Sequence, residues 1–159
     1  MKKAIFALGC FWKPEESFSK LSGIIKTEVG YCGGNMNKTT YEDVCSGETN
    51  HAEVVKIEFD ERKISYEKLI EQFFEMHDPT TLNKQGPDVG TQYRSEIFFL
   101  DDEQKKIAEK VKSNLSSKYK KKIVTNISKE KNYCKAEEYH QKYLKKNFNV
   151  TSFNRMVSK

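Results

Sequence analysis

The chain has 159 residues, with 28 Lys and Arg against 23 Asp and Glu for a formal charge of +5, and 36% of its residues are hydrophobic and 12% aromatic. That length is most simply one domain over residues 1–159, and the apolar content excludes a disordered chain. The positive excess is lysine scattered along the sequence, and its one dense run, Lys118 with Lys120, Lys121 and Lys122, reads as the solvated end of a helix before it reads as a nucleic-acid patch.

In chain order, "MKKAIFALGC" imitates a lipoprotein signal, but its apolar stretch Ala4 to Leu8 is shorter than the ~7–15 residues of a secretory core. No stretch approaches the ~20 apolar residues of a membrane span. The expectation is a cytoplasmic protein without membrane contact, whose Cys10, Cys32, Cys45 and Cys134 stay as thiols. No C-x-x-C pair occurs, and no metal or cofactor is expected. Ala4 to Gly9 is apolar at both parities, as in a strand covered on two faces. A helix follows to about Leu21, with Pro14 in its first turn and Glu15 and Glu16 at its positive end.

Ile24 to Tyr31 is a second strand, and residues 33 to 50 form a long loop. His51 to Phe59 alternates as a strand; Ser65 then caps a helix with Tyr66, Leu69, Ile70, Phe73 and Phe74 on one face. "HDPTTLNKQGPDVG" is a second long loop. Arg94 to Leu100 is a strand, and "DDEQ" opens a helix with Ile107, Val111 and Leu115 inward. Ile123 to Ile127 is a strand, and a last helix runs from about Ala136 to Lys146. This order gives one mixed sheet with helices packed on it.

Cys10 stands at a strand-to-helix turn, where unpaired N–H groups lower a thiol's pKa. The alternative is a small buried hydrophobe. Phe11 and Trp12 are either plain core or the wall of a pocket beside that sulfur. Glu53 shares the apolar parity of Val55, Ile57 and Phe59. It either points inward, loses hydration and becomes a general acid, or lies past the covered sheet and reaches water. His51 sits at a loop junction and suits a capping role; His77 and His140 suit ordinary hydrogen bonds. Tyr41 and Tyr93 lie in the two long loops as packing residues or ligand donors, and Asp88 in "GPDVG" is by default a turn residue.

Together these residues resemble the type A peptide methionine sulfoxide reductase family. "GCFW" at Gly9 to Trp12 resembles its nucleophile motif, and "YEDVCSGETNHAE", Tyr41 to Glu53, its central signature. "HDPTTLNKQGPDVGTQYRS", His77 to Ser95, resembles its second loop, and "AEEYHQKYL", Ala136 to Leu144, its last helix. The four motifs lie in the family's order and spacing over nearly the whole chain. The resemblance implies a ferredoxin-like α/β (α+β) two-layer sandwich and reduction of methionine-S-sulfoxide, free or in proteins. It makes Cys10 the nucleophile that becomes a sulfenic acid, Glu53 the proton donor, and Phe11 and Trp12 the methyl pocket. Tyr41 and Tyr93 become donors to the sulfoxide oxygen, and Asp88 a polar organiser.

Many family members carry resolving cysteines in a C-terminal tail, whereas "FNVTSFNRMVSK" has none. Either Cys134 or Cys32 closes a disulfide, or an external reductant (thioredoxin, glutaredoxin or a small thiol) resolves the sulfenic acid, the second being preferred. Cys45 reads as packing, and Pro87 departs from the family's usual residue before Asp88 and stiffens the loop. The rival readings are a cysteine hydrolase with His51, His77 or His140 as base, and a basic binding module built on the lysines around Lys120.

Overall fold

The computed structural model describes residues 2–35 and 38–147. In chain order it runs β1 Lys2–Leu8, α1 Trp12–Ser19, β2 Ile24–Cys32, α2 Tyr41–Cys45, β3 Ala52–Phe59 and α3 Tyr66–Glu75. A small hairpin of β4 Lys84–Gln85 and β5 Asp88–Val89 precedes a 3-10 turn at Thr91–Tyr93 and β6 Ser95–Phe99. Then come α4 Asp102–Ser116, β7 Asn126–Lys129, β8 Cys134–Lys135, a 3-10 turn at Glu138–His140 and α5 Tyr143–Asn147.

The large sheet has the order β7-β6-β1-β3-β2-β8. Its middle four strands, with α1 between β1 and β2 and α3 between β3 and β6, make the ferredoxin-like arrangement. All pairs are antiparallel except β6 with β7, which are parallel across the α4 crossover, so the sheet is mixed. Helices cover one face. There Phe6 of β1 packs on Phe18 of α1 and Phe73 of α3 at ring separations of 5.5 and 5.3 Å. The other face buries a smaller group, Ile5, Ala7, Cys32, Ala52, Val54 and Phe98, under Tyr133. Coverage on both faces is why β1 is apolar at both parities.

The caps form as the sequence suggests: Ser65 accepts from the Lys68 N–H at 3.1 Å, and Asp101 from the Gln104 N–H at 2.8 Å. All five of the apolar residues assigned to the inner face of α3 are buried. On α4 the most buried apolar residues are Ala108 and Val111, while Ile107 and Leu115 are only partly covered. The β4–β5 hairpin inside the second loop and the short strand β8 are not among the expected elements, and three longer parts differ from the sequence reading as well. The 33–50 loop contains α2, held by a Thr40 cap on the Asp43 N–H. The strand placed at Ile123 begins instead at Asn126. The single last helix is divided into the 3-10 turn and α5, because Lys142 takes a left-handed φ of 51° that no helix continues through. The cysteine-free stretch 148–159 lies outside the described residues.

Candidate active site

Between β1 and α1 the chain reverses at Gly9, whose φ of 96° suits glycine and where a Cβ would come within 2.9 Å of the Gln85 side chain. Cys10 follows, and α1 opens with Phe11 at its cap position and no side-chain cap. Its first N–H groups find other partners. The Phe11 N–H donates to Glu53 Oε1 at 3.3 Å, and the Trp12 N–H lies against the Cys10 sulfur. The thiol and the carboxyl are thus joined by one helix terminus.

The expectation of an acidified Cys10 is corrected here. Burial pushes the thiol up to about 12; the Trp12 N–H opposes this, and the charges of Glu53 and Asp88 add to it. Loss of water outweighs one helix terminus. Glu53 itself points inward from β3 and is 1% exposed, so it does not reach water at the sheet's end. Burial raises its carboxyl to about 8 against the pull of the Phe11 N–H, with Asp88 nearby raising it further. It is the proton-bearing acid at neutral pH. Its second oxygen, Oε2, is buried without a hydrogen-bond partner among the described residues.

Aromatic rings surround this pair. Phe11 is buried against Tyr31 at 5.8 Å and His140 at 5.2 Å. Trp12, partly exposed, stacks on Tyr143 at 3.8 Å and donates from Nε1 to His140 Nδ1 at 3.0 Å. Tyr41, the first residue of α2, lies 4.6 Å from the His140 ring. Glu137 holds it there, accepting the Tyr41 backbone N–H at 2.9 Å and the Tyr31 hydroxyl at 2.8 Å. Glu15, expected as a helix-dipole residue, is buried. It accepts from Thr27 Oγ1 at 3.0 Å and the Lys142 N–H at 2.6 Å, tying α1 to β2 and to the start of α5.

The second loop closes the other side. Asp88 pairs with Gln85 in the hairpin and, with Cys10, lines a cleft of about 550 Å3. Tyr93, on the 3-10 turn after it, is raised to about 12 by burial and then by the charges of Glu53, Cys45, Asp88 and Cys10. Those couplings place Cys10, Glu53, Asp88 and Tyr93 in one neighbourhood. Tyr41 is raised by burial and by the Cys45 thiol within its hydrogen-bonding reach, and it too feels Glu53 and Tyr93.

The other cysteines fall differently. Cys32 is buried on the opposite face of the sheet, its sulfur on the Lys131 carbonyl at 3.5 Å. Cys134 lies on β8 in register with Tyr31, which in turn faces Glu53 across β3, so the buried Tyr31 ring stands between them. Cys45, expected to pack, is exposed at the end of α2 beside Tyr41. All four are free thiols.

Each histidine has a ring nitrogen engaged by a group other than Cys10. His77 lines the same cleft, but its ring nitrogens are engaged by the Phe73 carbonyl and Ser95 Oγ, each at 2.7 Å, and burial lowers it to about 4. His51 caps the loop by accepting the Gly34 N–H at 3.0 Å. Lys118 and Lys120 to Lys122 are exposed just past α4. Among the described residues no group of three or more His, Cys, Asp or Glu could hold a metal ion, and no helix is long and apolar enough to cross a membrane. Sequence reasoning missed Glu137, Glu15 and the place of His140 beside Trp12. Their one signal was membership of charged or helix-end stretches, which are usually solvated.

Residues 2–159 match the family model for peptide methionine sulfoxide reductase. The peptide methionine sulfoxide reductase MsrA of Pelagibacter ubique is 62% identical over 146 residues, covering 92% of this chain and 99% of that protein. The MsrA of Methanothermobacter thermautotrophicus is 50% identical, with 92% and 88% covered. Among solved structures, reduced Mxr1 from Saccharomyces cerevisiae superposes with a TM-score of 0.88 at 42% identity, covering 92% of this chain and 85% of that one. Mxr1 in complex with Trx2 gives 0.64 at 29% identity, covering 89% and 84%. Agreement of this extent, in sequence and in fold, means that the chain belongs to the peptide methionine sulfoxide reductase family.

Proposed function

We propose that Cys10 is the nucleophile and Glu53 the proton donor in a thiol-dependent reduction of methionine-S-sulfoxide, free or within proteins, carried out by one domain over residues 1–159. The observation that supports this most is the buried Glu53 carboxyl, one oxygen tied to the Phe11 N–H at the helix terminus that follows Cys10 and the other unpartnered among the described residues, in surroundings that favour its protonated form. A sulfoxide oxygen leaves poorly until it gains a proton, so a neutral carboxyl is the group that attack at sulfur requires. Tyr41 and Tyr93, kept as phenols by burial, donate hydrogen bonds to that oxygen. Phe11 and Trp12 receive the methyl group, and Asp88 organises the polar side of the cleft.

In the net step the oxygen moves from the substrate sulfur to Cys10. The substrate S–O bond breaks, the S–O bond of a Cys10 sulfenic acid forms, and the thiol proton replaces the one Glu53 delivers. No outside electrons are needed until the sulfenic acid is reduced. We assign this to an external thiol: Cys32 lies on the far face and Tyr31 screens Cys134, while Cys45, beside Tyr41, is the internal thiol that the disulfide test below must exclude. The solved complex of Mxr1 with Trx2 supports a thioredoxin in that part, and four free thiols suit a reducing cytoplasm.

Turnover of the two resolved sulfoxide epimers, with C10S as control, tests the assignment. Reduction of the S epimer alone, abolished in C10S, is expected; turnover of the R epimer alone, or an active C10S, overturns it. Mass spectrometry after one equivalent of substrate without reductant tests the recycling. A gain of one oxygen on Cys10, reactive with dimedone, is expected, and an intramolecular disulfide overturns it.

A further inference from the structure

We infer that the cleft of about 550 Å3 beside Cys10 is the entrance for the external thiol, and that Lys13 on its wall stabilises the attacking thiolate. This rests on the reading of Cys10 as the residue that becomes a sulfenic acid.

Two sets of residues meet at Cys10. One is Glu53, Tyr41 and Tyr93, the proposed partners of the sulfoxide oxygen, with the rings of Phe11 and Trp12; none of these lines the cleft. The other is the cleft itself, which runs between Lys13 and Ser17 on α1 and a far wall of Met76, Pro87 and Asp88. Asp88 belongs to both, since its charge also acts on Glu53 and Tyr93. Attack on a two-coordinate sulfur runs along the extension of the bond that breaks, so orientation decides the path. The oxygen left on Cys10 is held by Glu53, Tyr41 and Tyr93, and the thiol must arrive from the side away from them. The cleft is open space at Cys10 that those oxygen-holding groups do not line.

Local electrostatics does not explain Lys13. It is the second residue of α1, and a cation in the first turn opposes the helix dipole. Its ammonium makes no ion pair or hydrogen bond with another described residue. The other charged groups on the lining, Glu75 and Asp88, are acids that repel a thiolate, and His77 is neutral at pH 7 because burial lowers it to about 4. Lys13 is thus the lining's one cation. A nearby cation raises the thiolate fraction of a thiol, and the thiolate is the form that attacks sulfur.

The step balances without a further reactant. The bond between the incoming sulfur and Cys10 forms as the Cys10 S–O bond breaks, and the oxygen leaves as water on taking a proton from Glu53. The thiol's own proton restores Glu53. The external thiol is oxidised to a mixed disulfide with Cys10, and a second thiol equivalent releases Cys10 as the thiol.

The two half-reactions separate the entrance from the substrate pocket. Cys10 sulfenic acid is formed with one equivalent of methionine-S-sulfoxide, and its loss after adding dithiothreitol or thioredoxin is followed by dimedone quenching and mass spectrometry. K13Q should slow that loss about three- to fivefold with dithiothreitol, an effect that shrinks as ionic strength rises, because an exposed charge pair is weak and screened. K13E should slow it further, and K13R should keep it within about twofold of native. S17F, which fills the cleft from α1, should slow the loss at least about tenfold while sulfenic acid formation stays within about threefold. A deficit with both reductants makes the cleft the path for either; one confined to dithiothreitol makes it a path for small thiols. Loss within about twofold of native in both K13Q and S17F, or formation slowed as much as loss in S17F, would overturn the inference. If the sulfoxide leaves no sulfenic acid on Cys10, the catalytic assignment fails instead. Hydrogen peroxide then supplies the same Cys10 sulfenic acid, and the comparison is made on it.

Discussion

Glu53→Gln should remove catalysis and stabilise the protein at the same time. Glutamine keeps an oxygen to accept the Phe11 N–H, which lies 3.3 Å from Glu53 Oε1, but has no acidic proton. Loss of a general acid costs roughly 10²–10⁴-fold, so single-turnover methionine formation should slow by that factor. The stability change follows from linkage. Glu53 titrates at 4.5 when unfolded and about 8 when folded. Between those values the folded state holds the extra proton, so stability falls as pH rises through the window. The gap corresponds to roughly 5 kcal/mol at most, reached above pH 8. Gln carries no such penalty. Urea unfolding of both proteins from pH 4 to 9 at fixed ionic strength should show near-equal stability at the acid end and an E53Q advantage of about 3–5 kcal/mol at the alkaline end. Activity of the native enzyme should hold below about 8 and fall above it, as the acid ionises. An E53Q rate within tenfold of native, or a stability difference that ignores pH, would refute the reasoning.

His77 gives the opposite slope. Its folded pKa near 4 lies below the usual 6.5, so stability is present above 6.5 and is lost as pH falls toward 4, by roughly 3 kcal/mol. H77Q should flatten that acid limb in the same unfolding series. Arg94 and Glu96 form a pair at 2.6 Å with side chains 10% and 6% exposed, so R94M strands a buried carboxylate and should cost about 3–5 kcal/mol by urea denaturation. E137A removes the acceptor for both the Tyr41 N–H and the Tyr31 hydroxyl. It should lower kcat/KM for methionine-S-sulfoxide about tenfold by freeing α2.

Much of the architecture was legible along the chain because it is set by local rules. The double-parity apolar run of β1 marks a strand covered on two faces, the Ser65 cap and its 3.6-residue stripe mark α3, and the Asp101 cap marks α4. The inward parity of Glu53 against Val55 and Ile57 likewise singled out a carboxyl with no local reason to be there. Elements of two to five residues, α2, the β4–β5 hairpin and β8, escaped because they hold too few residues for any period to register.

The titration of Cys10 is decided elsewhere. The helix terminus that acidifies a thiol is a local feature, whereas the burial that reverses it comes from the packed fold, and Asp88, 78 positions away on the cleft wall, adds its charge in the same direction. The same holds for the bonds from Glu137 to Tyr41 and from Trp12 to His140, which span 96 and 128 residues. Sequence alone determined which chemical groups this protein has and on which elements they ride. The tertiary structure decided which of them lose water together, and desolvation, being a property of all neighbours at once, cannot be read from any one stretch.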